Sequence, residues 1–472
     1  MPEKRAAPRW RLKPSEQRFV LILGDLIAGY LALLVALYLW AAGDEWLHFS
    51  LEFLKTRPDN WFYFLPIFWI ILLVETYDLN KSGNLTFTLR SIGIAITISS
   101  FIYLIFYFAM PPRTLPRRGV AFFIIAVAVF TLIWRLVYVR LFTAASRSKR
   151  VLVIGAGKAG TALVNVIADQ KPLPFNLIGL IDDDPEKQNA QIRGYAVMGD
   201  HTQLFDIVHQ MGITDLILAI SGPMRPGTFQ TLLMAQEQGL EISTMQEIYE
   251  SLLGRVPINL LDSEWVIRSF ISQAPHGGFY RLFKRLMDLI ITLVALVFLV
   301  ALFPIIALLT IVDSGTPVIY SQERLGRGGQ PYRIYKFRTM KNSADMEKEA
   351  LVTAANDPRV TRLGKFLRKV HLDELPQVVN VLLGEMSWVG PRSERSELVE
   401  IFQNALPFYR ARMLVKPGVT GWAQINQPYA ETVEETAIKL EYDLFYIEHA
   451  NLLMDITILL RTFGAVLGFK GR

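Results

Sequence analysis

Two adjacent carboxylates, Asp373 and Glu374, stand in the run His371-Leu372-Asp373-Glu374-Leu375-Pro376-Gln377, amid many cations. Arg359, Arg362, Lys365, Arg368 and Lys369 lie upstream, and Gly390-Pro391-Arg392 lies downstream. A carboxylate can attack phosphorus, a neighbouring one can hold Mg²⁺, and arginines can hold phosphate oxygens. An isolated Asp-Glu pair among basic residues is more often a solvated helix face laced with ion pairs. Here the pair sits inside a longer series of motifs.

The series begins with Gln322-Glu323-Arg324-Leu325-Gly326 and Lys336-Phe337-Arg338-Thr339-Met340. Asp357-Pro358-Arg359-Val360-Thr361-Arg362-Leu363-Gly364 follows, then the dyad, Asn380-Val381-Leu382 and Gly384-Glu385-Met386-Ser387. Val389-Gly390-Pro391-Arg392 and Lys416-Pro417-Gly418-Val419-Thr420-Gly421-Trp422 close it. In this order the motifs resemble the bacterial sugar transferase family, the polyprenyl-phosphate glycosyl-1-phosphate transferases. The resemblance is close from Arg281 to Arg472. The rest is similar in architecture to the large exopolysaccharide-initiating members.

The resemblance implies transfer of a sugar-1-phosphate from a UDP-sugar to a polyprenyl phosphate such as undecaprenyl phosphate, with UMP released. It places the nucleophile on Asp373 and Mg²⁺ on Glu374. Successive α-helical positions point about 100° apart, so the two carboxylates would approach one phosphate from different sides. Lys336, Arg338, Arg368 and Arg392 are the candidate phosphate clamps, Arg for bidentate contact and Lys as a point charge. Arg359, Arg362 and Arg395 are secondary candidates, or partners of anionic lipid headgroups. Asp443 and Asp455 match family positions, which implies a second metal contact or an orienting hydrogen bond near the substrate. One departure is Ser393, where the family pattern has Pro after the Arg.

The elements that must position these residues follow from composition. The chain has 472 residues, 52% of them hydrophobic, and a mean hydropathy of +0.30, the profile of a multidomain membrane protein. It has no cysteine and six scattered histidines, which excludes disulfides and thiolate zinc sites. The net charge of +6 is concentrated in basic clusters, Lys4 to Arg18 and Arg135 to Arg150, beside apolar runs. Such clusters are topology signals rather than a nucleic-acid surface.

Four runs have spanning length: Phe19–Ala42, Trp61–Leu79, Ser91–Met110 and Gly119–Tyr138. Asp25 and Glu75 lie near span ends and suit snorkelling or interhelical hydrogen bonding. From Lys149 the pattern turns α/β. Val151-Leu152-Val153-Ile154 precedes Gly155-Ala156-Gly157-Lys158-Ala159-Gly160, and a second strand ends at Asp182-Asp183-Asp184. This order binds dinucleotides in some domains. In others the glycines only permit a tight turn and close packing. The second alternative is favoured, because neither Tyr195 nor Tyr249 is followed four residues on by lysine, as short-chain dehydrogenases require.

Leu289–Val312 is a fifth apolar run, with basic residues on both flanks and Pro304 inside. Length favours a span; the flanks and the proline favour a re-entrant helix that turns at Phe303-Pro304. The expected layout has a four-span region at 1–147, a Rossmann-like, CoA-binding-like α/β domain at 148–273, and a linker with the re-entrant helix at 274–314. A mostly helical, monotopic catalytic domain occupies 315–472, on the cytosolic face of the bacterial inner membrane. By resemblance, the unit from Gly278 onward is the minimal transferase. Leu452–Phe469 should lie on the membrane surface or pack on the catalytic core. Membrane lipids are expected partners, nucleic acid is not, and a homodimer is compatible with the extra domains. The alternative function is a membrane-tethered nucleotide-sugar dehydratase or epimerase working from the Rossmann domain; a scaffold with a dead transferase domain is a third.

Overall fold

The computed structural model describes residues 14–77, 82–109, 116–143, 149–171, 173–260, 277–341, 359–427 and 432–467. The expected linker Ala274-Pro275-His276 and Asp357-Pro358 lie outside them. The chain divides into two compact units, Met1–Ile248 and Tyr249–Arg472.

In the first unit, the helices Pro14–Ala41 and Arg117–Tyr138 pack closely. Small residues allow it: Ala28, Ala32 and Ala36 are buried at four-residue spacing, and a Cβ on Gly24 would meet the Trp134 ring at 1.9 Å. Asp25 is ion-paired with Arg135 on the partner helix, so interhelical bonding is its role. Arg135 also donates to the Thr76 carbonyl and hydroxyl.

The second expected span is corrected. Trp61–Leu79 is realised as a short 3₁₀ turn Asn60–Phe64, a helix Leu65–Leu72 and another turn Val74–Tyr77. The apolar helical stretch Asn60–Leu72 reaches roughly 20 Å at 1.5 Å per residue, short of a ~30 Å hydrocarbon layer. Pro66 begins the α-helical part, and Thr76 leaves it to present its carbonyl to Arg135. Helices long and apolar enough to cross a membrane are instead Glu16–Ala41, Leu85–Leu104, Arg117–Leu141 and Gly278–Ser314.

The α/β part is a parallel sheet in the order Asn176–Ile181, Arg150–Ile154, Asp215–Leu218, Glu241–Thr244. Gly155 has φ +108°, open to glycine, and a Cβ on Gly160 would strike the Gly155 carbonyl at 1.9 Å. Asp182 Oδ2 accepts the Ala156 N–H at 2.6 Å, so this loop amide is bonded within the protein. Asp183 accepts from the His201 N–H and the Thr228 hydroxyl.

The second unit is mostly helical, with two small sheets: an antiparallel hairpin Ile319–Leu325 with Pro331–Phe337, and a parallel pair Ser387–Val389 with Gly418–Thr420. Its first long element is the helix Gly278–Ser314, which runs on through Pro304. The expected turn at Phe303-Pro304 is therefore not a break in the helix. A proline removes one i→i−4 bond, and the backbone amides on both sides keep the others. Residues of 315–472 touch this helix at several points along its length. Lys284 pairs with Asp455, Arg285 bonds the Val381 carbonyl, and Asp288 accepts from Ser387 and Trp388. Further along, Leu299 and Ile306 share a core with Phe337 and Leu367.

This unit begins at Tyr249, ahead of the linker expected at 274. Val256 and Ile258 are fully enclosed in one core with Val389, Tyr409, Leu440 and Leu444. Gly254 O accepts from Trp422 Nε1 at 2.7 Å, and the Val256 N–H donates to the Glu441 carbonyl. The helix Leu452–Leu467 packs on the core of this unit, with Ile458 fully buried and Thr462 bonded to Thr420.

Candidate active site

The dyad lies on a 3₁₀ segment, Leu372–Gln377, that follows the helix Arg362–Lys369. Thr361 caps that helix, and His371 adopts a left-handed φ of 56° between the two elements. At about three residues per turn, Asp373 and Glu374 diverge somewhat more than on an α-helix. Pro376 and the buried Gln377 lead into the helix Val378–Leu383, which fixes the segment from its far side.

Glu374 Oε1 accepts from Lys336 Nζ at 2.6 Å and from Arg392 Nη2 at 2.8 Å. Lys336 comes from the hairpin, and Arg392 from the loop after Ser387–Val389. Burial pushes the Glu374 pKa up, but Arg392 and Lys336 outweigh it and hold the carboxyl well below its usual range.

Asp373 is different. It is buried, yet among the described residues its carboxylate takes part in no hydrogen bond or ion pair. Burial and the charge of Glu374 raise its pKa, against the pull of Lys336, Arg368 and Arg392. A carboxylate surrounded by positive charge but bonded to none of it is available to attack an electrophile.

Of the candidate clamps, the structure brings Lys336, Arg368 and Arg392 to the dyad. Arg368 is steadied by its Nε–H to Thr339 Oγ1 at 3.0 Å. Arg338 is buried and spends Nε and Nη1 on the carbonyls of Met340 and Thr316, a structural use rather than a clamp. Asp443 and Asp455 are corrected as direct substrate or metal contacts, because both are enclosed and committed. Asp443 pairs with Arg412 at 2.7 Å. Asp455 pairs with Lys284 and accepts from the Tyr280 and Tyr446 hydroxyls.

Sequence reasoning missed the support beneath Arg392. Arg412 Nη2 donates to the Arg392 carbonyl at 3.0 Å, linking Asp443 to the clamp loop. Glu394 pairs with Lys439 and lies near Arg412 and Arg324; those cations overcome burial and hold its pKa down at about 2. Ser393, the departure from the family pattern, accepts from Tyr332 and offers its carbonyl to Arg324. The hydroxyl and carbonyl thus tie the loop where a proline ring would otherwise stiffen it. A cleft lined by Arg324, Lys336, Gln377, Arg392 and Ser393 opens here.

Mg²⁺ fits this donor set. It binds through one or two carboxylates plus substrate phosphates, and the dyad supplies hard oxygen ligands close to Lys336 and Arg392 of the cationic cleft. Glu374, held ionised by its cationic neighbours, offers one such carboxylate oxygen.

Comparison with known proteins agrees with the motif series. The description "Bacterial sugar transferase" matches residues 279–469. An uncharacterized sugar transferase of Bacillus subtilis is 38% identical over 40% of this chain and 89% of its own length. The chain belongs to the bacterial sugar transferase family. It is also 38% identical, over 48% of its length, to a UDP-N-acetylgalactosamine-undecaprenyl-phosphate N-acetylgalactosaminephosphotransferase of Aeromonas hydrophila. It is 42% identical, over 40% of its length, to a UDP-glucose:undecaprenyl-phosphate glucose-1-phosphate transferase of Escherichia coli. The matched regions span 53% and 41% of those two relatives. A CoA-binding domain description matches residues 73–225, across the last two long helices of the first unit and much of the α/β sheet.

Proposed function

We propose that this chain is a polyprenyl-phosphate sugar-1-phosphate transferase acting at a membrane, with a UDP-sugar as donor and undecaprenyl phosphate as acceptor. An Asp373 oxygen attacks the β-phosphorus of the donor. The bond from that phosphorus to the bridging oxygen breaks, and UMP leaves with the electron pair. A phosphosugar ester on Asp373 results. An oxygen of the lipid phosphate then attacks the same phosphorus, and the Asp373 carboxylate leaves. Both steps join anions, so fixed cations carry much of the catalysis. Lys336, Arg368 and Arg392 supply them, and Arg412 with Asp443 holds the loop that carries Arg392. Mg²⁺ on Glu374 would neutralise diphosphate charge.

The observation that carries this reading is the contrast inside the dyad: Glu374 bonded to two cations, Asp373 buried among cations and bonded to none. Incubation of the full-length protein with a panel of UDP-sugars, followed by mass spectrometry, tests it. A phosphosugar mass is expected on the peptide containing Asp373. UMP released without such an adduct at Asp373 sinks the covalent route.

The topology belongs to the same proposal. The helix Gly278–Ser314 bends at Pro304 without losing its continuity, so that it dips into one leaflet and both its ends stay on the cytosolic face, where UDP-sugars and Mg²⁺ are found. Support comes from contacts at both ends with the same folded body: Lys284 with Asp455 near the start, and Arg338 with the Thr316 carbonyl just past the end. Basic flanks point the same way. A cysteine placed at Asp313, in this cysteine-free chain, is expected to react only from the cytosolic side. Labelling from outside intact cells would mean a true span.

A further inference from the structure

Three cations gather near the start of the helix Gly278–Ser314, with little to neutralise them. Arg285 donates Nη1–H to the Val381 carbonyl at 2.7 Å and Nη2–H to the Leu382 carbonyl at 2.8 Å. These are among the last carbonyls of the helix Val378–Leu383, so the guanidinium is pinned beside Gly384, its C-cap. Gly384 has φ +85°, and a Cβ there would stand 3.4 Å from Lys416 Nζ and 3.7 Å from Arg285 Nη2. Two cationic groups thus flank the notch left by the missing Cβ of Gly384.

Lys416 is half-buried. Burial, Arg285 and Arg327 all push its pKa down, and Asp288 alone pushes it up. Asp288 is enclosed and already accepts from Ser387 Oγ and the Trp388 N–H. Among the described residues, no carboxylate comes within ion-pair distance of Arg285, Arg327 or Lys416. Like charges held together without a counter-ion disfavour one another, and an anion between them removes the penalty. The cations that bond Glu374 are Lys336 and Arg392, not these.

The surroundings say what kind of anion. Leu382 and Leu383 beside the notch are exposed, as are Leu282 and Leu286 on the adjoining helix turns and Leu414 next to Lys416. Exposed leucines against a basic cluster fit a membrane–water boundary, where hydrocarbon meets the leucines and phosphate meets the cations.

We propose that Arg285 and Lys416, with Arg327 at their edge, form a site for the phosphate of a membrane lipid whose hydrocarbon chain lies over Leu382 and Leu383. Two lipids carry this chemistry. One is the polyprenyl phosphate acceptor, a source that rests on the proposed reaction; the other is an anionic glycerophospholipid, which does not.

Lys416→Gln in the full-length protein is the test, since Lys416 Nζ makes no hydrogen bond among the described residues that its loss would break. Native mass spectrometry would compare retention of phosphatidylglycerol with that of phosphatidylcholine. Steady-state kinetics would give KM for undecaprenyl phosphate and for the UDP-sugar that the wild type turns over. One expected result is a drop of about fivefold in phosphatidylglycerol retention, with phosphatidylcholine unaffected, which identifies bulk anionic lipid. The other is a rise of about fivefold in acceptor KM alone, which identifies the acceptor. Lys416→Arg should restore either. If both quantities match the wild type in Lys416→Gln and in Arg285→Gln, with folding checked by Tm, the proposal is overturned. It is also overturned if the wild type prefers no anionic lipid but broadens the ³¹P signal of inorganic phosphate, because the occupant is then a free anion. An inactive wild type would defeat the transferase reading and leave the retention measurement standing.

Discussion

Asp373 and Asp443 are both buried aspartates in the second unit, both beside arginine, and they are bonded in opposite ways. Asp443 is fully enclosed and bonded directly to Arg412 at 2.7 Å. Asp373 feels Lys336, Arg368 and Arg392 without bonding to them. A buried carboxylate that is paired holds structure; one that is surrounded but unpaired has its lone pairs open, as the proposed attack on phosphorus requires. The difference also predicts how each site answers to neutralisation. Removing the charge at Asp373 relieves burial and repulsion from Glu374. Removing it at Asp443 takes from Arg412 its shortest ion pair and leaves the one to Glu394 at 3.7 Å.

The largest effect should come from Asp373→Asn. The amide is close in size and far less nucleophilic, so turnover should fall by roughly 10⁴-fold or more, as nucleophile removal does elsewhere. The same variant should melt at a higher temperature than wild type, because an ionised group with a raised pKa costs folding energy. Loss of activity together with a lowered Tm would mean that Asp373 is a structural ion after all. Glu374→Gln comes next, with an expected loss of roughly 10²–10³-fold, the size seen for single electrostatic contacts to a reacting group. Its stability should fall, since a carboxyl held below its usual pKa contributes stability above that range. Unchanged Mg²⁺ dependence in Glu374→Gln would remove it from the metal site.

Asp443→Asn should act through stability. Breaking a buried pair outright costs about 3–5 kcal/mol, and the loss here should be smaller, because burial already raises the Asp443 pKa against Arg412 and Arg412 keeps Glu394 at 3.7 Å. Turnover should fall less than in Glu374→Gln, with KM for the donor raised, because Arg412 holds the Arg392 carbonyl. A kcat as low as that of Asp373→Asn, in a protein with wild-type Tm, would restore Asp443 to direct chemistry. The pH profile gives a gentler test. In the proposed reaction Asp373 must be ionised to attack, and its pKa is raised, so activity should fall tenfold per pH unit once pH drops below that pKa. The acid limb should lie above the ordinary aspartate range. Tm should improve over part of the same range as Asp373 protonates. A limb at the usual carboxylate pH would mean that the cations outweigh burial.

Local signals were legible in the sequence. The dyad, Lys336 and Arg392 stood out because motif order and charge type are read residue by residue, and the long apolar helices because hydropathy is additive. What the sequence left hidden depended on distant pairings. Asp443 meets Arg412 across 31 residues, and Lys284 meets Asp455 across 171. Nothing local marks those aspartates as spent. The second expected span failed for a similar reason: its apolar count is high, but Thr76 leaves the helix to bond Arg135, 59 residues away. Pro304 misled in the other direction, since a proline among apolar residues need not end a helix.

The smallest effect on chemistry, and the sharpest on domain boundaries, concerns residues 249–260. Gly254 meets Trp422 across 168 residues, and Ile258 sits in the same core as Val389, the residue just ahead of the clamp loop. Ile258→Ala in the full-length protein should therefore cost about 2–5 kcal/mol of stability, as large-to-small core changes do. Turnover per folded molecule should change little, because Ile258 touches neither the dyad nor its cations. A chain beginning at Tyr249 should then melt higher than one beginning at Gly278, which leaves the places of Val256 and Ile258 empty. Equal melting of the two would return the boundary to the 274 region and make residues 249–260 a passenger on the catalytic core. Equal melting together with a lower kcat in the shorter chain would instead give the segment a part in holding Arg392, and would extend the contrast between Asp443 and Asp373 to a third element of support.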